Sequence, residues 1–410
     1  MELIIRIYLA LMFVSIYMFF FFIILVFKNK DKLFYSPVPK SYPFVSILIP
    51  AYNEEDSIAG TIDHVLNLDY PKEKLEIIVI NDGSKDRTKD VILRYVKSNE
   101  NVRLLDKPNS GKADSLNKGI KMSKGELIAV VDSDSFPSKD SLRKLVGLFD
   151  DPQMGAVTSF VSVRNSKETV LTKIQEIEYL FMGWTRKILD FVDSVYVTNG
   201  PLSIYRRKYV DKVGGFDPKS ITEDIDITWN MLSHDYKTGM CLDARVSTVA
   251  PSKFKDWFRQ RTRWGMGGLQ AISKYRKIFF RKGMFGAFVL PFVSLSIILS
   301  LFGFFFSLYL LLKSLAITFY TIFYSSLAKA SLFHWNNFLF YPSIIFIYLI
   351  FLFVISISYY NYILTRTSHQ KGFSLKGFFK MSFYTLIYLL IYPIVWIVSI
   401  YRYSTNDMKW

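Results

Sequence analysis

Four stretches without one charged side chain, residues 7–27, 285–312, 338–364 and 383–400, constrain this chain more than any other feature. Each is long enough to cross the ~30 Å hydrocarbon core of a bilayer as a helix. With 51% hydrophobic residues the chain is too apolar for an ordinary soluble protein, and with 21% charged residues it is too polar for a bundle of spans alone. A soluble domain joined to membrane spans satisfies both bounds. Residues 315–327 are too short and too polar at their end for a further span and are expected to be interfacial or re-entrant.

The 51 basic against 35 acidic residues leave a formal charge of +16. Nucleic-acid binding does not account for it: no zinc-finger or RNA-binding signature occurs, and the basic residues cluster beside apolar runs, as membrane topology requires. Lys28, Lys30, Lys32 and Lys40 follow the first run directly, where a cleaved signal peptide would show a small-residue cleavage site after a shorter apolar core. An uncleaved anchor is expected, its lysines on the cytoplasmic side. Segment 366–380 is basic and free of acidic residues, which puts it on that side too. The lone Cys241 excludes an intramolecular disulfide, and His64, His234, His334 and His369 are too scattered to form a histidine metal site. A metal would be held by carboxylates.

From Phe44 onward short β-rich apolar runs alternate with helical ones. Strands are expected at 45–49, 77–80, 102–105 and 127–131, with helices between them. The pattern predicts a largely parallel, doubly wound α/β sheet, in which ligands bind beyond the carboxyl ends of the strands. After the first strand stands Pro50-Ala51-Tyr52-Asn53-Glu54-Glu55, and after the second Asn81-Asp82-Gly83-Ser84. Asp82 would accept hydrogen bonds from a base or ribose and Tyr52 would pack against the base, although a lone Asp-Gly pair is also an ordinary turn.

Asn109-Ser110-Gly111-Lys112 opens a helix and offers a lysine for a diphosphate, without being a full Walker sequence. The fourth strand ends in Asp132-Ser133-Asp134, two carboxylates that repel unless a cation lies near; oxygen ligands of this kind suit Mg²⁺ or Mn²⁺ bridging to a diphosphate, or a solvated turn. Thr198-Asn199-Gly200-Pro201-Leu202-Ser203 interrupts an apolar strand with small residues that admit close backbone approach. Thr222-Glu223-Asp224 opens a helix, where an acidic residue serves as a cap or, for Asp224 with Glu223 as substitute, as a general base. Gln260-Arg261-Thr262-Arg263-Trp264 places two guanidiniums and an indole where the charged part gives way to apolar runs. Guanidinium forks suit phosphate oxygens and an indole face suits a sugar ring; an interfacial anchor has the same composition.

Together these four motifs resemble the D, D-x-D, T-E-D and Q-x-x-R-W signature of membrane-integrated family 2 glycosyltransferases, which include cellulose, chitin, hyaluronan and poly-N-acetylglucosamine synthases. Gly111-Lys112-Ala113-Asp114-Ser115-Leu116-Asn117 and Ile174-Gln175-Glu176-Ile177-Glu178-Tyr179 are similar to the poly-β-1,6-N-acetylglucosamine synthase branch. The resemblance implies a GT-A type, Rossmann-like and mostly parallel domain at 41–253, an anchor at 1–28, an interfacial segment at 254–283 and about three spans in 284–404. It implies an inverting enzyme of the cell membrane, its catalytic domain cytoplasmic, that extends a β-linked polysaccharide from a UDP-sugar, UDP-N-acetylglucosamine first among them. Transfer of a single sugar to a polyprenyl phosphate or glycolipid is the alternative.

By the same resemblance Tyr52, Glu54, Asp82, Lys112, Asp132 and Arg263 bind the nucleotide sugar and Asp134 holds Mg²⁺ or Mn²⁺. Asp224 is the base, while Asn199, Gly200, Pro201, Glu223, Gln260 and Trp264 meet the acceptor. Expected partners are the donor, a glycan or lipid-linked acceptor and membrane lipids, with no nucleic acid. Four spans are fewer than polymer-secreting synthases often carry, which implies a helper subunit, a homo-oligomer or a short product.

Overall fold

The computed structural model describes residues 2–328, 344–367 and 375–407. Two compact units emerge, one within 1–292 and 402–410, the other within 293–401. The first unit begins with helix α1 (Glu2–Lys28). Eight strands follow: β1 (Val45–Ala51), β2 (Leu75–Asp82), β3 (Val102–Lys107), β4 (Leu127–Val130), β5 (Ser135–Pro137), β6 (Met154–Val163), β7 (Ser203–Arg206) and β8 (Lys237–Thr248). Between and after them run α2 (Ile58–Leu66), α3 (Thr88–Ser98), α4 (Lys112–Met122), α5 (Ser141–Val146), α6 (Val170–Asp190), α7 (Arg207–Lys212), α8 (Glu223–Ser233) and α9 (Phe254–Lys274).

All eight strands join one sheet in the order β3-β2-β1-β4-β7-β6-β8-β5. The first four pair in parallel, as the alternation of strands and helices requires. β7 then runs antiparallel to β4 and β6, and β5 antiparallel to β8, while β6 and β8 pair in parallel, so the sheet is mostly parallel, as expected, with β5 and β7 as its two reversed strands. The two reversed strands, β5 and β7, have three and four residues, too few to show a period. The apolar run before Ser203, expected as an interrupted strand, is irregular until β7 begins.

Every residue of β1 and β2 is buried, because helices cover both faces. Val45, Ile47 and Ile49 point into one core with Ile58 and Ile62 of α2, while Leu48 points into the other with Leu116 and Ile120 of α4. At the amino end of the sheet a polar plug closes the layers: Glu76 accepts from Ser46 Oγ at 2.6 Å, from Lys124 N at 2.6 Å and from Arg103 at 3.0 Å.

This topology sets the place of the site. The register pairs Ala51 with Asn81 and Leu48 with Val130, so Tyr52, Asp82 and Asp132 emerge at one edge. Antiparallel pairing of Val130 with Ser203 brings the segment just before β7 to that edge from the other side.

The second unit holds most of α10 (Leu290–Leu327), α11 (Ile344–Thr367) and most of α12 (Leu375–Ser404). Among the described residues two helices are long and apolar enough to cross a membrane, the continuous run Phe285–Leu327 and Ser382–Ser404. Residues 315–327 continue the first of these and do not form a separate interfacial or re-entrant piece. After Pro291 that run has no proline and only Gly303 as a glycine, so nothing breaks its hydrogen-bond ladder. Of the span expected at 338–364, residues 338–343 lie outside the described residues; so do 368–374 of the basic segment, His334 and His369.

The polar plug generates a stability prediction. A Cβ on Gly125 would lie 2.5 Å from Ser46 N and 2.6 Å from Leu127 O, both backbone atoms that cannot turn away. Gly125→Ala is expected to cost about 1–3 kcal/mol, read as a lowered thermal midpoint by intrinsic tryptophan fluorescence; an unchanged midpoint would contradict this packing.

Candidate active site

The loops after β1 and β2 are laced together by polar contacts. Asn53 sits at φ 56°, a left-handed conformation that asparagine tolerates, and its amide N donates to Ser84 Oγ at 3.0 Å while its Oδ1 accepts from Lys85 N at 2.8 Å. Glu54 N donates to Thr88 Oγ1 at 2.7 Å, and Glu55 N to Asp86 at 3.1 Å. Tyr52 is left 44% exposed above this lacing, free to present its ring face to a planar ligand.

Asp82 is buried, and its carboxylate accepts from Ser110 N and Gly111 N at 2.9 Å each and from Lys107 Nζ. Three contacts of the roughly four that a carboxylate can accept therefore shape the loop that leads into α4. Gly83 at φ 70° and Gly111 at φ 90° supply the backbone freedom that this turn needs.

Lys112, first residue of α4, is the cation at the centre. Its Nζ lies 2.6 Å from Asp132 Oδ1 and 2.7 Å from Glu223 Oε1. Burial works against its charge, but the carboxylates of Asp132, Glu223 and Asp224 outweigh this and raise its pKa above the ordinary lysine value. Gly200 makes the arrangement possible: a Cβ there would run into both carboxylate oxygens of Asp132 and come within 2.8 Å of Lys112 Nζ. Asp132 N donates to Gly200 O at 3.2 Å, and Pro201 restricts the backbone before β7.

Asp134 has weaker company. Among the described residues its Oδ1 accepts from the Ser135 and Thr248 hydroxyls, at 3.3 and 3.4 Å. Burial first, then the charges of Asp132 and Glu54, push its pKa up to about 6. Burial likewise raises Glu54, against the donated hydroxyl of Ser57. An under-compensated carboxylate separated by one residue from a second, at a strand end, fits a hard divalent cation. No group of three or more His, Cys, Asp or Glu able to hold a metal occurs among the described residues. The protein would thus supply one or two ligands, with the rest from a diphosphate and water, as Mg²⁺ prefers.

Glu223 and Asp224 occupy the first turn of α8, where the helix dipole favours negative charge. Thr222 precedes them without a capping bond. For Glu223, burial is overcome by Lys112 and Arg263, which hold its pKa below the usual value. For Asp224, burial and the neighbouring Glu223 charge prevail over Lys112, and its pKa rises to about 6. The helix is tied to the loop before β7, since Thr198 N donates to Thr228 Oγ1 at 3.0 Å. Asn199 Oδ1 accepts from Thr158 Oγ1 at 2.6 Å and from Arg186 Nη1 at 3.0 Å.

Helix α9 carries the last motif and splits its two arginines. Arg261 is 2% exposed and ion-paired with Glu178 of α6, while Arg263 is exposed and acts electrostatically on Glu223. Arg263, the arginine expected to meet the nucleotide sugar, is thus the exposed one, and the spacer residue Arg261 is buried in the protein. Gln260 and Trp264 are half-buried, both in contact with Arg261. Farther along, Gln270 Oε1 accepts from Ile221 N at 2.9 Å and Lys274 reaches Asp226 at 2.7 Å. A Cβ on Gly267 would drive into Thr222, so the glycine lets α9 lie directly against the start of α8.

Residues 46–214 match the sequence family described as Glycosyl transferase family 2. They are a family 2 glycosyltransferase domain. The chain is 36% identical over 251 residues to the Probable glycosyltransferase YdaM of Bacillus subtilis, covering 59% of each chain. It is 32% identical over 233 residues to the Poly-beta-1,6-N-acetyl-D-glucosamine synthase of Staphylococcus epidermidis, covering 56% of each. These matches span less than two thirds of the relatives' own length. In fold the chain is similar to a mannosyltransferase from Pyrobaculum calidifontis in complex with GDP-Man and Mn²⁺, with a TM-score of 0.54 and 22% identity over 66% of this chain and 75% of that one. The shared architecture is the GT-A-like fold.

The structure brings several of the expected site residues together: Glu54, Asp132 and Asp134 act on one another, and Lys112 joins Asp132 to Glu223. Lys107, Arg186 and the Arg261–Glu178 pair were not anticipated. Lys107 ends β3 at the same edge, so the strand-end rule contained its signal. Arg186 lies near the end of α6, and nothing local marks it.

Gly200 separates fold from function. The groups that a methyl would meet are ends of side chains, which can swing aside, but they are Asp132 and Lys112. Gly200→Ala is expected to leave the thermal midpoint nearly unchanged and to lower sugar transfer at least about tenfold; full transfer in a folded Gly200→Ala would contradict this placement.

Proposed function

We propose that the chain is an inverting, membrane-bound glycosyltransferase that extends a β-linked polysaccharide from a UDP-sugar, most favourably UDP-N-acetylglucosamine. The observation that carries the reading is the Asp224 carboxyl, raised to about 6 and lying in the field of the lysine that joins Glu223 to Asp132. A base needs a pKa near the working pH, and this environment brings a carboxylate toward it. The named activity of the staphylococcal relative supports the polymer and the sugar.

In this reaction Asp224 takes the proton of an acceptor hydroxyl as its oxygen attacks the anomeric carbon. The bond from that carbon to the diphosphate breaks with its electron pair on the leaving UDP, and one displacement turns an α-linked donor into a β-glycoside. Tyr52 stacks on the base, Asp82 sets the loop against which the nucleotide lies, and Glu54 and Asp132 border the diphosphate. Lys112 lies at that border, and the exposed Arg263 receives the leaving charge. Asn199, Gly200, Pro201, Glu223, Gln260 and Trp264 form the acceptor side. Asp134, with Asp132 beside it, would hold Mg²⁺ or Mn²⁺, which would neutralise diphosphate charge when bound.

The catalytic unit is placed on the cytoplasmic face of the cell membrane, with spans at α1, α10, α11 and α12 and export assisted by a further subunit or a second copy. Purified full-length protein incubated with a panel of labelled UDP-sugars and Mg²⁺ or Mn²⁺ is expected to make a β-linked polymer from UDP-N-acetylglucosamine, read by mass spectrometry. Single-sugar lipid products would replace polymerisation by the alternative reaction, and no transfer from any donor would overturn the reading.

Two expectations concern the chemistry. A base must be ionised, and the protonated fraction of Asp224 grows as pH falls through about 6, so kcat/KM is expected to drop toward tenfold per pH unit below that value. Asp224→Asn, which carries no ionisable group, should lose at least about a hundredfold in transfer, and a variant that kept the wild-type rate would move the base elsewhere. Chelation by EDTA should abolish transfer and added Mg²⁺ or Mn²⁺ restore it; activity that survives chelation would remove the metal from the scheme.

A further inference from the structure

Arg261 occupies a spacer position of the Gln260 to Trp264 motif, yet it is the motif's most connected residue. Its Nε donates to Glu178 Oε1 at 2.8 Å and its Nη2 to Glu178 Oε2 at 2.6 Å, a two-pronged ion pair. Both side chains are 1% exposed. Gln175, one turn before Glu178 on α6, adds an acceptor at 3.4 Å. Nη1 donates to Gln260 Oε1. The guanidinium carbon lies 4.1 Å from the ring centre of Trp264, 5.5 Å from that of Trp257 and 5.8 Å from that of Tyr179.

The energetics do not favour reading this pair as a stabiliser. Desolvating two charges costs several kcal/mol, and an apolar pair of similar volume is often as stable or more so. What such a pair does supply is direction: a planar fork held at two points cannot rotate. Trp257, Arg261 and Trp264 follow one another at helical spacings of four and three, so they share a face of α9 and the guanidinium lies between two indoles. Arg263, about 200° around the helix from Arg261, is left on another face, toward solvent.

We propose that Glu178 and Arg261 are a positioning pair that fixes the Trp264 indole and the Gln260 amide, and so sets the seat of the acceptor sugar. This rests on the acceptor role proposed for Trp264 and Gln260, and it adds two residues on two helices that the motif does not name. Glu178 aims the fork, the fork lies over the indole face, and its remaining nitrogen holds the amide. Donor binding, which belongs to the strand-end loops and Arg263, does not pass through the pair.

Arg261→Lys keeps the charge and loses the fork, and Glu178→Asp keeps the charge and shortens the reach. In full-length protein each is compared with wild type for UDP-N-acetylglucosamine KM, UDP release to water, acceptor KM, product length and thermal midpoint. Both variants are expected to give shorter products and an acceptor KM raised about tenfold, with donor KM and UDP release within about twofold of wild type. A merely structural pair would lower the thermal midpoint and depress donor and acceptor parameters together; that result, or unchanged product length in a folded Arg261→Lys, overturns the inference while the reaction stands. If Arg261→Lys does not fold, the Glu178→Asp comparison decides alone. A wild type that transfers no sugar overturns the proposed reaction itself and the positioning role with it.

Discussion

One ammonium group holds the site together. Lys112 Nζ lies within 2.7 Å of carboxylates from Asp132, at the end of β4, and Glu223, at the start of α8. These acids come from opposite sides of the point where the sheet changes from parallel to antiparallel pairing. Without a cation between them, acids this close would repel by several kcal/mol at an effective dielectric of about 20. The lysine is a third exposed, so its charge is only partly screened by water. Like charges are thus brought together by fold and lysine jointly, and neither suffices alone.

That arrangement leaves the acids unequal. Glu223 takes the lysine and stays low, while Asp224, one residue on, keeps the cost of burial and of its neighbour and rises. Asp134 rises for the same reasons on the other side, since the lysine serves Asp132 first. Carboxyls pushed up at Glu54, Asp134 and Asp224, beside two held by one cation, divide the site electrostatically: Asp224 lies at the start of α8, Glu54 and Asp134 at the strand-end loops. Adjacent acids in the sequence give no hint of which will rise, because that depends on where one lysine points.

Much of this was legible in the chain. The alternation of apolar runs from Val45 to Val131 placed four strands and the helices between them, and the strand-end rule then put Tyr52, Asp82 and Asp132 on one edge. The antiparallel turn of the sheet was not legible, since β5 and β7 are too short to show a period and the run before Ser203 is apolar without being a strand. The fate of the two arginines was hidden for a different reason. Arg261 and Arg263 have the same chemistry and nearly the same neighbours in sequence; only the helical phase of α9 against Glu178 buries one and exposes the other.

Helix α9 then links the start of α8 to the segment that leads into the apolar run. Its Gly267, Gln270 and Lys274 hold Thr222, Ile221 and Asp226, which bracket the candidate base. Eleven residues beyond its end, Phe285 opens the apolar run by packing edge-on against Trp229 of α8 at 5.3 Å, and Tyr275 flanks the same indole at 6.0 Å. The helix that carries Asp224 is therefore gripped at its start by α9 and at its middle by the first turn of the apolar run. Close-packed contacts transmit displacement and do not absorb it. A shift of that first turn would be felt at Trp229 of α8, on the same helix as Asp224. The junction of charged and apolar sequence is thus packed directly against the helix that carries Asp224.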